Sequence, residues 1–145
     1  MSDTSARATA PQRRKERQTD MMLYDHMDLR VSDLVKVRAL YDAMLPAMGF
    51  PRLAEDGKNV NYYLEAEDRS QPFFGLMTDP QHRANGTRIA FRANSRDEVD
   101  RLAEVARAAG ARSIEGPENY GGSPRYYAVF FEDADGNKLE ICYRE

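Results

Sequence analysis

The order of secondary-structure patterns in this sequence repeats once, and this repeat is the strongest constraint on its fold. Each half starts with an alternating strand pattern, continues with a helix pattern and ends with three shorter strand patterns. The segments "HMDLRV" and "RIAFRANS" align at an offset of 88 − 26 = 62, which places Arg88 opposite His26. A tandem βαβββ repeat predicts two similar sheets about a pseudo-twofold axis, each packing one face on its helix, with the other faces enclosing a cavity.

Both predicted helices carry start and stop signals. The first follows Ser32 or Asp33, either of which can cap it, and stops before Gly49. The second follows Ser95, which opens a capping-box pattern, and stops before Gly110. The sequence therefore predicts an α+β domain rather than an all-β or all-helical one.

Two segments of the second half bear on the cavity. The loop "GPENYGGSP" has the glycines of a mobile lid and one aromatic residue, Tyr120, that could close over a ligand, although a plain surface connection fits it equally. The strand "RYYAVFFE" is apolar on both faces, as a central strand would be. Either Tyr126 or Tyr127 therefore lines the cavity, and alternation alone does not choose between them.

Composition limits the remaining possibilities. Residues 1–20 contain no aromatic residue, Val, Ile or Leu, so we predict a disordered tail over 1–21 and one domain over 22–145, with modules at 22–78 and 86–145. Outside the first 20 residues the charge is (21 − 5) − (24 − 3) = −5, which argues against a nucleic-acid surface. No stretch is apolar enough for a membrane helix. The single cysteine and the absence of an apolar leader predict a reducing, cytoplasmic location.

Three polar residues are predicted to converge on the cavity. Period-two alternation turns His26 of the first strand away from the helices, together with Arg88 and Arg92 of the fifth strand. In the last strand, "KLEICYRE", Leu and Ile alternate with Glu140, which faces the same side. His26, Arg88 and Glu140 are thus expected to meet from three different strands.

The sequence resembles a known family. The segments "DHMDLRVSDLVKVRALYDAMLPAMGF", "FFGLM", "RIAFRANSRDEVDRLAEVARAAGAR" and "YYAVFFEDADGNKLEICY" look like the vicinal oxygen chelate superfamily, the glyoxalase, bleomycin-resistance and extradiol-dioxygenase group. The resemblance implies paired βαβββ modules around a small-molecule site. It also implies four metal-ligand positions, which fall on His26, Gly75, Arg88 and Glu140. Of these four, only His26 and Glu140 have side chains of a type that binds a metal ion.

Two functional hypotheses stay open at this point. In the first, the metal site is degraded, an ion pair between Arg88 and Glu140 fills its space, and the cavity binds a small organic molecule. Its walls would be Phe73, Tyr120, Arg92 and one of the tyrosines named above. In the second, His26 and Glu140 hold one divalent ion, Zn, Ni, Mn or Fe, completed by waters, substrate oxygens or His82.

The second hypothesis describes a glyoxalase-type lyase or isomerase, or a dioxygenase, in which Glu140 or a neighbour moves a proton. A third reading is a structural domain whose polar cavity only repeats ancestral features. An exposed edge strand would favour a homodimer under any of the three.

Overall fold

The structure, a computed structural model, describes residues 23–64 and 72–145. The predicted disordered tail over 1–21 lies outside these residues. Two helices and eight strands follow the predicted order. They are β1 (His26–Val31), α1 (Leu34–Ala47), β2 (Arg52–Glu55), β3 (Asn59–Tyr63), β4 (Phe73–Thr78), β5 (Arg88–Arg92), α2 (Arg96–Ala108), β6 (Arg112–Asn119), β7 (Tyr126–Glu132) and β8 (Lys138–Arg144).

The strands form two four-stranded sheets with the same topology. The first has the order β1-β4-β3-β2 and the second the order β5-β8-β7-β6. In each sheet the strand before the helix pairs in parallel with the last strand of its module, and the remaining pairs are antiparallel. The predicted α+β class with two βαβββ modules is confirmed. Within the described residues, neither helix is both long and apolar enough to cross a bilayer.

Each helix is closed by the residues that the sequence singled out. The Asp33 carboxylate accepts from two backbone N–H groups in the first turn of α1, at 3.0 and 3.4 Å. The Ser95 hydroxyl accepts from the backbone N–H of Glu98 at 3.1 Å. Gly49 and Gly110 follow the two helices with φ of +98° each, a conformation that glycine adopts without a Cβ penalty. Local chemistry therefore fixes both ends of α1 and α2.

One apolar core joins the two modules. The helix-facing residues of both sheets and both helices belong to a single buried cluster, in which the rings of Phe74 and Phe91 bridge the sheets at 5.5 Å. A polar joint adds to this contact, because the Tyr41 hydroxyl of α1 donates to the buried Asp133 carboxylate after β7 at 2.6 Å. The hydroxyl of Ser32 also donates to Asp135, at 2.6 Å. The modules thus share buried contacts as well as a linker.

The predicted loop over "GPENYGGSP" is wrong in its first half. Strand β6 continues through Gly116 and Pro117 to Asn119, and only the turn that carries Tyr120 remains outside a strand. The pairing of β6 with β7 shifts register twice, on either side of Glu115. These bulges, at the edge of the sheet, let proline occupy a strand without breaking a ladder of hydrogen bonds.

Candidate functional site

A small buried cluster covers the second sheet on the side away from α2, which we call the C-terminal outer face. Ala128, Phe130 and Cys142 are buried there with Tyr126 packed against them, and they form a cluster separate from the main core. Glu140 lies in the same face with only 5% of its surface exposed. It stands opposite Phe130 on one side and Ala90 on the other. This face therefore holds a carboxyl group buried among apolar side chains.

Burial governs the chemistry of Glu140. Loss of water around the carboxyl group raises its pKa above the usual 4.5, and it outweighs the opposing effects of the Cys142 thiol and of two nearby guanidinium groups, Arg88 and Arg144. The Tyr126 hydroxyl donates a hydrogen bond to this carboxyl group. Glu140 is thus held in a fixed position and is easier to protonate than a carboxylate in water.

Arg88 does not pair with Glu140 as the sequence suggested. Across the described residues, no ion pair within 4.0 Å joins the two, and the Arg88 guanidinium carbon instead lies 4.8 Å from the centre of the Phe130 ring. The register explains the difference, because Lys138 is the partner of Arg88 whereas Glu140 faces Ala90. Arg88 is therefore one row away from Glu140 and packs on the ring beside it.

Other cationic side chains lie on the same face. Arg144 places its guanidinium carbon 3.9 Å from the centre of the Tyr126 ring. Arg92 is the strand partner of Cys142 and is exposed. The C-terminal outer face thus combines a buried carboxyl group with aromatic rings that carry guanidinium groups.

Tyr120 covers part of the C-terminal outer face from the turn after β6. Its ring lies 4.9 Å from that of Phe130 and 5.5 Å from that of Tyr126, the latter edge-on. Nearly half of Tyr120, 49%, stays exposed. The residue therefore contacts the aromatic cluster without sealing it from solvent.

The choice between the two tyrosines of β7 is now clear. Tyr126 lines the C-terminal outer face, whereas Tyr127 packs against the main core. The Tyr127 hydroxyl donates to Asp100 of α2 at 2.6 Å, and this bond raises the pKa of Tyr127. Tyr127 is therefore a helix-side residue, and its inclusion among the site residues is corrected.

His26 lies on the corresponding face of the first sheet, which we call the N-terminal outer face. Its Nδ1 is 2.7 Å from an Asp25 oxygen and its Nε2 is 3.6 Å from an Asp28 oxygen. The hydrogen bond that the imidazole donates to the Asp25 carboxylate, helped by the Asp28 charge, raises the pKa of His26. The imidazole also stacks on Phe73 with ring centres 4.5 Å apart. Phe73 thus belongs to the surroundings of His26 and not to those of Glu140.

Gly75 occupies the middle of the N-terminal outer face. A Cβ at this position would lie 2.7 Å from an Asn61 oxygen and 2.9 Å from an Asp28 oxygen. These two residues flank Gly75 on the neighbouring strands. Their side chains close over the backbone where the family resemblance placed a metal ligand.

The residues of one chain do not fit a bound metal ion. His26 and Glu140 lie on separate sheets, and no hydrogen bond or ion pair among the described residues connects them. Gly75 offers no donor atom and Arg88 is a cation. His82 does not complete the set, because its Nε2 bonds to Asn137 at 2.8 Å. In residues 23–64 and 72–145, no three His, Cys, Asp or Glu side chains converge in a way that could hold a metal.

Two residues of the C-terminal outer face were not singled out from the sequence. Phe130 supplies the ring under Arg88, and Arg144 covers Tyr126. Both follow from alternation once Tyr126 is assigned to this face. Phe130 lies four residues after Tyr126 in the same strand, and Arg144 is the partner of Tyr126 in β8. The missing information was the assignment of β7, not the pattern of the other strands.

These features define the class of the protein: an α+β protein of two βαβββ modules with polar and aromatic residues on the outer faces of its sheets. The chain belongs to the Glyoxalase/Bleomycin resistance protein/Dioxygenase superfamily, whose family model matches residues 23–141. The uncharacterized protein YqjT of Bacillus subtilis strain 168 is 28% identical over 125 residues, which is 80% of this chain and 94% of YqjT.

Solved structures show the same fold. A glyoxalase/bleomycin resistance protein from Albidiferax ferrireducens T118 is 26% identical with a TM-score of 0.69, and the match covers 86% of this chain and all of that one. A variant of the fosfomycin resistance protein FosX from Listeria monocytogenes is 19% identical with a TM-score of 0.56, over 81% of this chain and 86% of its own. That FosX structure is a complex with Mn(II) and 1S,2S-dihydroxypropylphosphonic acid.

Proposed function

We propose that the protein binds a small organic molecule with an anionic or carbonyl group on its C-terminal outer face, without a metal ion. The buried Glu140 carboxyl group carries this proposal. It lies in an apolar and aromatic cluster on the sheet face that neither helix of the described residues covers. Buried carboxyl groups with raised pKa values, set among a few directed polar groups, are typical of binding sites.

The residues of this face divide into polar and apolar roles. Arg88 and Arg144 bring positive charge over aromatic rings and would attract an anionic group of the ligand. Tyr120, Tyr126 and Phe130 offer ring surfaces on which an aromatic or flat ligand would pack. When protonated, Glu140 would donate a hydrogen bond to a ligand carbonyl or carboxylate, and burial favours that neutral form.

Calorimetric titration with small carboxylates and aromatic anions, benzoate first, tests the proposal. We expect saturable binding that weakens about tenfold in Arg88→Gln, because a hydrogen bond to a charged group is lost. The matched control is Arg107→Gln. Arg107 lies on α2, away from this face, and its guanidinium is 3.5 Å from the Glu104 carboxylate. Equal affinity in Arg88→Gln and wild type would contradict the proposal.

The metal-free character of the site has its own test. Titration with Zn, Ni, Mn and Fe(II) should give no stoichiometric binding, because His26 and Glu140 lack shared partners in the described residues. The control variants are His26→Ala and Glu140→Gln. Tight binding in wild type that is lost in both variants would overturn this part of the proposal.

We further infer that the protein forms a homodimer through an edge strand. Strand β2 lies at the edge of the first sheet and is exposed at all four residues, and Leu53 leaves 45% of its surface in solvent. An exposed edge with a large apolar residue favours pairing with a second copy. Light scattering should show a dimer in wild type and a monomer in Leu53→Lys. Val35→Lys on α1, where Val35 is 84% exposed, serves as the control.

A further inference from the structure

A cavity of about 160 Å³ lies where the two modules meet, apart from the cluster around Glu140. It opens between the end of β1, the start of β5, the start of β8 and the segment that links the modules. Its lining residues are Leu29, Arg30, His82, Asn85, Thr87, Ile89, Asn137 and Lys138. No role is assigned to these residues by the proposed function.

The charged residues of this junction cavity are of one sign. Arg30 and Lys138 line it, and its lining includes no Asp or Glu within the described residues. Lys138 donates to Glu132 at 3.2 Å. The Arg30 guanidinium, by contrast, contacts the Met77 sulfur at 3.0 Å, and a thioether is a weak acceptor. As far as the described part of the chain goes, most of the hydrogen-bonding capacity of Arg30 is therefore available to a ligand.

The neutral groups of the cavity are held in place. The Asn137 side-chain nitrogen donates to the Arg30 carbonyl at 3.2 Å and to Asp133 at 2.8 Å. Its side-chain oxygen must therefore be the acceptor that faces His82 Nε2 at 2.8 Å, so that this nitrogen carries a proton. Asn85 accepts from the backbone N–H of Thr87 at 2.8 Å and orders the linker. The cavity wall is thus built by contacts that do not depend on a ligand.

We propose that the junction cavity is a second binding site that takes a small oxyanion, such as phosphate or a short carboxylate. Arg30, Lys138 and Thr87 are the lining residues that carry cationic or hydroxyl donors, and no acidic residue of the lining opposes an anion. A volume of 160 Å³ corresponds to about five water molecules at roughly 30 Å³ each, which is enough for phosphate or a short carboxylate with part of its hydration. Lys138 pairs with Arg88 at the edge of the C-terminal outer face. The cavity nevertheless lies apart from the Glu140 cluster, and this proposal does not rest on the function proposed above.

Amide NMR of the full chain, titrated with inorganic phosphate or with acetate at constant ionic strength, tests the second site. We expect saturable shifts of residues 82–87 and 137–138 with at least one of the two probes, independent of any shifts around Glu140. Arg30→Gln and Lys138→Gln should each weaken binding about tenfold, as loss of a charged hydrogen bond predicts. Arg107→Gln on α2 should leave it unchanged.

The outcomes separate the two sites and the two anions. Saturation by phosphate alone identifies a phosphate site, and saturation by acetate alone identifies a carboxylate site, and either result supports the proposal. Glu140→Gln should not alter these shifts, so failure of the outer-face proposal leaves this experiment intact. The proposal is overturned if neither probe saturates, if shifts follow arginines across the whole surface, or if Arg30→Gln binds as wild type does.

Discussion

The two sheets share one strand order, yet the middle rows of their outer faces are built in opposite ways. The rows are Asp28, Gly75 and Asn61 in the first sheet, and Ala90, Glu140 and Phe130 in the second. The first row has polar flanks over a central residue without a side chain, whereas the second has a polar centre between apolar flanks. Only the second arrangement removes water from a carboxyl group, and this is why the pKa of Glu140 is raised by burial.

Two turns between antiparallel strands, one in each module, show a similar contrast. Asp56, between β2 and β3, and Asp133, between β7 and β8, each accept from two backbone N–H groups of their own turn at 2.9 to 3.0 Å. Asp56 is exposed, but Asp133 is fully buried and also accepts from Tyr41 and Asn137. The same turn chemistry is thus local in the first module and joins the modules in the second.

The largest effect on stability is expected from removal of the buried Asp133 carboxylate, which connects the two modules. Asp133→Ala leaves four donors without an acceptor in a buried place and should lower the free energy of unfolding by roughly 3–5 kcal/mol. The matched change Asp56→Ala should cost about 1 kcal/mol, because water replaces the lost contacts. Urea denaturation measures both, and similar losses in the two variants would show that the joint is not buried as described.

The next largest effect is expected at two glycines whose Cα lies close to other residues, and an alanine should lower the free energy of unfolding by different amounts at the two positions. Gly116 has φ of +89° and a Cβ there would lie 2.6 Å from the backbone oxygen of Ala128, so Gly116→Ala should cost about 2 kcal/mol or more. Gly75→Ala meets only the side-chain oxygens of Asn61 and Asp28, which can rotate away. Its cost should stay below about 1 kcal/mol. Thermal unfolding compares them, and an equal loss in both would contradict this assignment.

The sequence predicted the elements whose signals are local and missed those set by neighbouring strands. Asp33, Ser95 and the glycines after the helices act through their own turns, so the helix ends could be predicted. Continuation of β6 through Gly116 and Pro117 depends on bulges in its pairing with β7. A glycine within a strand can mark a bulge, but the position of the bulge is set by the pairing with β7.

The candidate site shows the same division. Alternation along β8 predicted that Glu140 faces away from the helices. In the structure it lies on that side, opposite Phe130. In β7 both faces are apolar, so alternation could not separate Tyr126 from Tyr127. The expected ion pair of Arg88 with Glu140 ignored the register, in which Arg88 stands opposite Lys138. The packing of Arg88 on Phe130 could only be seen once the strands were paired.

A third prediction concerns the pH dependence of stability. Because the pKa of Glu140 is raised in the folded protein, the folded state holds this proton more tightly than the unfolded state. Stability is therefore lost as pH rises from 4.5 through the folded-state pKa. Glu140→Gln removes this loss and should be more stable than wild type near neutral pH, with the difference vanishing below about pH 4.5.

Urea denaturation between pH 4 and pH 8 measures this difference. Glu104→Gln, a change at an exposed glutamate of α2, is measured beside it as the matched control. If Glu140→Gln and wild type differ by the same amount at every pH, the carboxyl group is not desolvated and the contrast between the two outer faces fails.

The smallest effect should separate the adjacent tyrosines of β7. Tyr126→Phe removes the hydroxyl that donates to Glu140 and should cost about 1–2 kcal/mol, whereas Tyr127→Phe removes an exposed bond to Asp100 and should cost about 0.5 kcal/mol. Only the first change should raise the pKa of Glu140 further, because the charged carboxylate loses a donor. Carboxyl ¹³C NMR titration follows that pKa directly. A shift of equal size in Tyr127→Phe would mean that general loosening of β7, not the lost hydroxyl, controls the Glu140 carboxyl group.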